Sequence, residues 1–285
     1  MKSVIKLLRP HQWLKNGFVL LGLLFGHGWN NPQLVSSVAL GFVAFCLASS
    51  AVYVFNDYHD READSRHPKK KYRSIASGKI SLGTARFILA ALLAGALLLP
   101  VVVNEWTILF SLIAYLCLNV TYTLWLKHQV LLDVFCIVAG FMIRLVCGTY
   151  AVGIVPSRWM LICSFMLTLF LGFAKRRAEI EAQETTRVVL QHYSPQLLDI
   201  LIAITVSMTL LAYGLYTLDE ATAVMHGTNL LILTLPIVTF GVFRYLYLIY
   251  IKGAGEDTGP DLLSDIQIKL ALAAWIVSVV FLLKT

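Results

Sequence analysis

Charge is scarce in this chain. Only 14% of its 285 residues are Asp, Glu, Lys or Arg, against about 25% in an average soluble domain. Hydrophobic residues make up 58% and the mean hydropathy is +0.76, so the chain reads as an integral membrane protein. Cysteine is sparse and scattered as well. Cys46, Cys117, Cys136, Cys147 and Cys163 fall within apolar runs and form no CxxC pair, which speaks against a disulfide framework and a zinc site. The N-terminal stretch MKSVIKLLRPHQWLKN is basic and then apolar, but no small-residue cleavage site follows, so it is expected to be retained structure. No soluble domain and no low-complexity tract stands out. The apolar runs also lack the alternation of a membrane β-barrel.

What is present is a series of apolar runs of about 17 to 25 residues, long enough to cross a bilayer as helices. Nine spans are expected, approximately over 10 to 27, 34 to 57, 82 to 103, 105 to 126, 129 to 152, 157 to 178, 196 to 218, 228 to 251 and 262 to 283. Pro10 suits a first helical turn, where its missing N–H would be unpaired in any case, and Pro32, Pro156 and Pro195 punctuate other starts. With nine spans, nearly all Lys and Arg outside them collect on one side, Arg187 among them, and the other side keeps only Arg158 and Lys284. That asymmetry predicts a cytoplasmic N-terminus. The net charge of +7 then marks contact with anionic lipid and phosphate groups, and no nucleic-acid partner is expected.

The densest polar stretch is Asn56 to Gly78, NDYHDREADSRHPKKKYRSIASG. At about 100° per residue, Asp57, Asp60 and Asp64 fall within about 60° of one another, with Asn56 one turn before Asp60. Three like charges on one face repel, and a cation among them removes the conflict. Mg²⁺ suits such hard oxygen ligands, because it takes one or two carboxylates and fills its other positions with water and phosphate. The plainer reading is a solvated acidic helix end, with Glu62 off the face and paired to a surface base. The basic run that follows, Arg66, Lys69, Lys70, Lys71 and Arg73, is placed to hold phosphates bridged by such a metal. Taken alone it is also compatible with ordinary positive-inside charge. His67, before a proline, is expected to orient or to hydrogen-bond.

Three further groups are expected on the same cytoplasmic face. Tyr122, Lys127 and Asp133 bracket the turn between spans 4 and 5, and Arg144 follows Asp133 by three helical turns. A buried arginine there needs a partner or a wet cavity. Lys175, Arg176 and Glu179 end span 6, where a helical ion pair between Lys175 and Glu179 is the bland alternative. Gln12, Lys15 and Asn16 near span 1 complete the polar groups expected around a cavity, which His192 and Tyr193 close from above.

Taken together, the NDxxDxxxD pattern of Asn56, Asp57, Asp60 and Asp64 and the nine-span all-α arrangement resemble the UbiA superfamily of intramembrane prenyltransferases, over essentially the whole chain. The resemblance implies a single transmembrane domain over 1–285, with a central cavity open to the cytoplasm and laterally to lipid. Its metal and phosphate region would be the 57–81 loop. That superfamily carries a second acidic motif at the end of span 6, and here the place is held by Lys175, Arg176, Arg177, Ala178 and Glu179. With RPHQWLKN, LKHQVLLDVF and GFAKRRAE, the chain is similar to the superfamily's phosphoribosyltransferase branch, although Ser74 stands where that branch usually has proline. The resemblance implies transfer of the 5-phosphoribosyl group of phosphoribosyl diphosphate (PRPP) to a polyprenyl phosphate in the cell membrane, on the route to a lipid-linked arabinose donor. Mg²⁺, with Mn²⁺ as a substitute, would sit on Asp57, Asp60, Asp64 and Asn56. Lys15, Asn16, Arg66, Lys70, Lys71, Arg73, Lys127, Lys175 and Arg176 would bind phosphates. Gln12, Tyr122, Asp133, Arg144 and Glu179 would line and orient the cavity. An aromatic prenyltransferase using a polyprenyl diphosphate, and a lipid or solute transporter, remain the alternatives, and a homo-oligomer stays open.

Overall fold

A computed structural model describes residues 2–26, 28–68, 70–182, 188–255 and 264–284. Lys69 and Arg187 lie outside them. The helices are α1 (Lys2–Leu8), α2 (Leu21–Phe25), α3 (Pro32–His59), α4 (Arg61–Ser65), α5 (Leu82–Val102), α6 (Trp106–Leu124), α7 (Leu132–Ala151), α8 (Arg158–Glu181), α9 (Pro195–Leu218), α10 (Glu220–His226), α11 (Leu235–Lys252) and α12 (Ile266–Lys284). Among the described residues, eight stretches are long and apolar enough to cross a membrane: α3, α5 to α9, Leu230–Lys252 and Ile266–Leu283. The protein is multi-pass.

Local chemistry sets several of these starts. The Asn31 side chain accepts from the N–H groups of Gln33 and Leu34, and Pro32 opens α3. Ser81, Ser157 and Ser194 cap α5, α8 and α9 in the same way. Each such cap is worth about 1 kcal/mol, so the short polar links fix where the apolar helices begin.

The first expected span differs from the expectation. Over 10 to 25 the chain forms a 3₁₀ segment, Pro10–Leu20, followed by the short α2. A 3₁₀ run of this length is unusual, and its packing gives a reason. A Cβ on Gly22 would overlap the backbone of Gly148, and one on Gly148 would overlap the backbone of Val19. The segment therefore lies backbone to backbone on α7, where the narrower coil fits. Arg9, before Pro10, takes a left-handed conformation with φ 51°, which costs a non-glycine residue roughly 1 to 3 kcal/mol.

The chain forms two compact units, residues 1–127 with 143–155 and residues 128–142 with 156–285. In the first, α3 packs on α5, α6 and the 3₁₀ segment around a core of Val19, Phe45, Ile108 and Leu112. In the second, α8 packs on α9 and α11 on α12, around Phe170, Leu198, Ile202 and Ile249.

Candidate functional site

In the first unit the acidic stretch sits where α3 ends. Asp57 is in the last turn of α3, Asp60 is its C-cap, and Asp64 lies in α4 after the break. The three carboxylates are thus spread over the end of one helix, its cap and the start of the next. Each carboxylate is matched by a base. Arg9 Nη2 donates to Asp57 Oδ1 at 2.7 Å. Arg73 Nη1 lies 3.2 Å from the same oxygen and 2.7 Å from Asp64 Oδ2. Lys127 Nζ reaches both oxygens of Asp60, at 2.8 and 3.1 Å. The repulsion that pointed to a cation is met here by three side-chain cations.

Asp57 and Asp64 are buried, whereas the Arg73 and Asp60 side chains keep 28% and 33% of their surface. The cluster is therefore buried at its base and open at its rim. Asn56 Oδ1 contacts the hydroxyl of Thr123. Glu62 pairs with Arg61 at 2.9 Å on the exposed side, as its position off the face predicts. In the basic loop, Arg66 and Lys71 are exposed and Lys70 is half-buried. His67 is buried, and its Nδ1 accepts from the Lys70 N–H at 3.2 Å. Ser74 donates to the Ser3 carbonyl at 2.9 Å, so the loop is tied to α1.

Deeper in the same unit, Arg144 donates from Nε to Asn16 Oδ1 at 2.7 Å and from Nη2 to Tyr115 OH at 3.0 Å. Its guanidinium lies 4.4 Å from the Tyr115 ring centroid and 5.5 Å from that of Phe45. An amide, a phenol and two ring faces thus hold the intramembrane charge. Asn16 also reaches Ser49 Oγ and Cys46 Sγ. Gln12 is buried beside Tyr53, and Lys15 and Tyr122 are half-buried.

The second unit holds a closed ionic centre. Arg176 Nε donates to Asp133 Oδ2 and Arg176 Nη1 to Glu179 Oε2, both at 2.6 Å. Tyr193 OH donates to Asp133 Oδ1 at 2.8 Å and accepts the Leu131 N–H at 2.7 Å. Burial, then the hydrogen bond to Asp133, push the Tyr193 phenol well above its ordinary range, so it stays a donor. The Arg176 and Asp133 side chains have no exposed surface. Glu179 pairs with Arg176, three residues away, and Lys175 is half-buried on the neighbouring position.

Two participants escape a reading of the sequence. Arg9 counts there only toward the charge asymmetry, yet the turn before Pro10 aims it at Asp57 and over the Tyr53 ring. Thr123 looks like any helix residue, and only the fold sets it against Asn56.

The donor set can be weighed against a divalent metal. Among the described residues, no group of three or more His, Cys, Asp or Glu is arranged to hold a metal ion. Asp57 and Asp64 nonetheless converge on one Arg73 nitrogen, which stands where a small cation would lie between them. Two carboxylates with room for water and phosphate are what Mg²⁺ requires of a protein. The residues present fit it.

Residues 17–259 match the UbiA prenyltransferase family. The chain is 32% identical to the decaprenyl-phosphate phosphoribosyltransferase of Corynebacterium glutamicum, over 98% of this chain and 86% of that one. It is 31% identical to the protein of the same name from Mycobacterium tuberculosis, over 97% and 93%. Its fold matches a UbiA homolog from Archaeoglobus fulgidus solved with GPP and Mg²⁺, with a TM-score of 0.74 over 99% of this chain and 100% of that one at 16% identity.

Proposed function

The chain belongs to the UbiA prenyltransferase family, and from that premise we propose that it transfers the 5-phosphoribosyl group of PRPP to a polyprenyl phosphate, releasing diphosphate. The observation that carries this reading is the likeness, over nearly the full length of both chains, to proteins named decaprenyl-phosphate phosphoribosyltransferase. The geometry supports it. One centre offers carboxylates already matched with exchangeable bases, while the position of the family's second acidic motif is locked in an Asp133–Arg176–Glu179 pairing.

The acceptor phosphate is an anion at neutral pH, so no strong general base is needed, and rate comes from positioning and charge stabilisation. A divalent metal, Mg²⁺ with Mn²⁺ as a substitute, would be held by Asp57 and Asp64, with Asp60 and Asn56 adjoining, and would neutralise charge on the diphosphate. Arg9 and Arg73, exchanged off their carboxylates, then face phosphate oxygens with the fork geometry that suits arginine. Lys127 stays with Asp60 or turns to a phosphate. Arg66, Lys70 and Lys71 supply the outer basic rim, and Lys15 serves the lipid phosphate. The ribosyl carbon passes through an oxocarbenium-like state, and the acceptor attacks from the face opposite the leaving diphosphate, with inversion at C1.

The membrane arrangement belongs to the same proposal. Pro10–Leu20 at about 2.0 Å per residue and Leu21–Phe25 at about 1.5 Å together rise roughly 30 Å, one hydrocarbon thickness. Added to eight helical spans, this gives nine crossings in the cell membrane, with the N-terminus and the 57–81 region in the cytoplasm. A polyprenyl tail would enter sideways from lipid.

Purified protein given labelled PRPP, polyprenyl phosphate and Mg²⁺ is expected to yield lipid-extractable label. No transfer across several chain lengths, with transfer from a prenyl diphosphate to an aromatic acceptor instead, would sink the proposal in favour of the aromatic prenyltransferase reading.

A further inference from the structure

Within the second unit, α11 and α12 pack against each other, and beside them lies a cleft of about 540 Å³. Leu235, Phe240, Phe243 and Tyr247 supply most of its wall, with Arg244 and Gln267 as its main polar groups. Phe240, Phe243 and Tyr247 are exposed. The volume falls within the range of about 300 to 1,000 Å³ typical of sites for small organic ligands.

The polar end has a defined height. Arg244 donates to Asp265 from Nε at 3.2 Å and from Nη2 at 2.8 Å. Asp265 also caps α12, accepting the N–H groups of Gln267 and Ile268. The 18-residue span that starts beside Asp265, Ile266–Leu283, rises about 27 Å. On the neighbouring helix, Leu230–Thr234 in 3₁₀ form and 235–244 in α form rise about 25 Å. Both distances approach the roughly 30 Å hydrocarbon thickness. The ion pair therefore lies where hydrocarbon gives way to headgroups, and Tyr247 beside it suits that boundary. From Leu235 to Tyr247 the cleft follows about 18 Å of helix, close to the depth of one leaflet.

We propose that this cleft binds one phospholipid whose headgroup carries both a phosphate and a primary ammonium, such as phosphatidylethanolamine. The pair is itself a zwitterion. Three of the five Arg244 N–H donors remain after its two bonds to Asp265, and they take the phosphate. Asp265 Oδ1 already accepts three bonds and Oδ2 one, so Oδ2 takes an ammonium N–H. A trimethylated ammonium has no N–H to give Oδ2, so a choline headgroup gains less. One acyl chain lies along Phe243 and Phe240 toward Leu235. A lipid with phosphate alone meets a cation already neutralised by Asp265 and gains less.

The test is native mass spectrometry of the full chain in detergent, with equal amounts of phosphatidylethanolamine, phosphatidylcholine and phosphatidylglycerol. One phosphatidylethanolamine adduct is expected at about ten-fold the level of any other lipid. Thr239→Trp fills the cleft wall without touching the ion pair and should cut that adduct about ten-fold, with thermal stability unchanged. Arg244→Gln should erase the preference among headgroups; where this variant fails to fold, Thr239→Trp decides. Equal retention of either of the other two lipids, an adduct indifferent to Thr239→Trp, or no adduct at all would overturn the proposal. None of these outcomes depends on the transferase reaction.

Discussion

The two ionic centres use the same materials and reach opposite ends. In the first unit Asp57, Asp60 and Asp64 are matched by Arg9, Arg73 and Lys127, and several of these side chains keep contact with solvent. In the second, Asp133, Arg176 and Glu179 have almost none. A partly wet ion pair is worth little and can exchange partners. A dry one is costly to break from either side, because the remaining charge is stranded. Side-chain exposure, more than charge, therefore separates the centre proposed to accept a ligand from the closed one.

Four substitutions would break or sharpen that contrast. Asp57→Ala should lower phosphoribosyl transfer by at least about a thousand-fold, the scale of losing a principal charge-stabilising group, while the protein still folds. Turnover within ten-fold of the parent would remove Asp57 from the site. In the closed centre, Arg176→Ala strands two buried carboxylates and should cost about 3 to 5 kcal/mol of stability, seen as a collapse of the folded yield or of the melting temperature. An unchanged melting temperature would show that the centre is not closed in solution.

Arg73→Gln is the matching change at the open centre. It should cost less stability than Arg176→Ala, since Arg9 still holds Asp57 and glutamine can still donate to Asp64, and raise the KM for PRPP about ten-fold. A stability loss as large as that of Arg176→Ala would erase the distinction between the centres. The smallest effect concerns Asp265, outside both. Its hydrogen bonds to Arg244 hold its carboxyl down at about 2, below the ordinary value near 4. Its contribution is thus fully present above about pH 4 and is lost as the pH falls through 2. The melting-temperature gap between the parent and Asp265→Asn should narrow over that window, and a gap independent of pH would rule out the carboxylate charge as its cause.

Much of the first centre could be read from spacing. Spacing groups the three aspartates; in the fold Asp57 and Asp64 share Arg73, while Asp60, at the break after α3, pairs with Lys127. What spacing does not encode is the counter-charge. Arg9 reaches Asp57 through a left-handed turn, a conformation no propensity favours for arginine. The same limit applies to Arg144. Burial predicted a partner, but Asn16 is 128 residues away in sequence and Tyr115 sits on another helix. Glu179 pairs three residues back with Arg176, which the fold buries against Asp133, and spacing along α8 gives no sign of that third residue. Residues 10 to 25 were legible as an apolar run, whereas their 3₁₀ winding follows from a close backbone contact with α7.

That contact has a consequence for the order in which the protein can be made. Gly22 and Asn16 rest on Gly148 and Arg144, residues that leave the ribosome long after the N-terminal segment has emerged. Pairings this distant in sequence form slowly, so the N-terminal segment must wait on a temporary partner until α7 arrives. Its final winding is then one of the last features of the first unit to form, and a stalled chain ending before residue 144 should leave Pro10–Phe25 without its native seat.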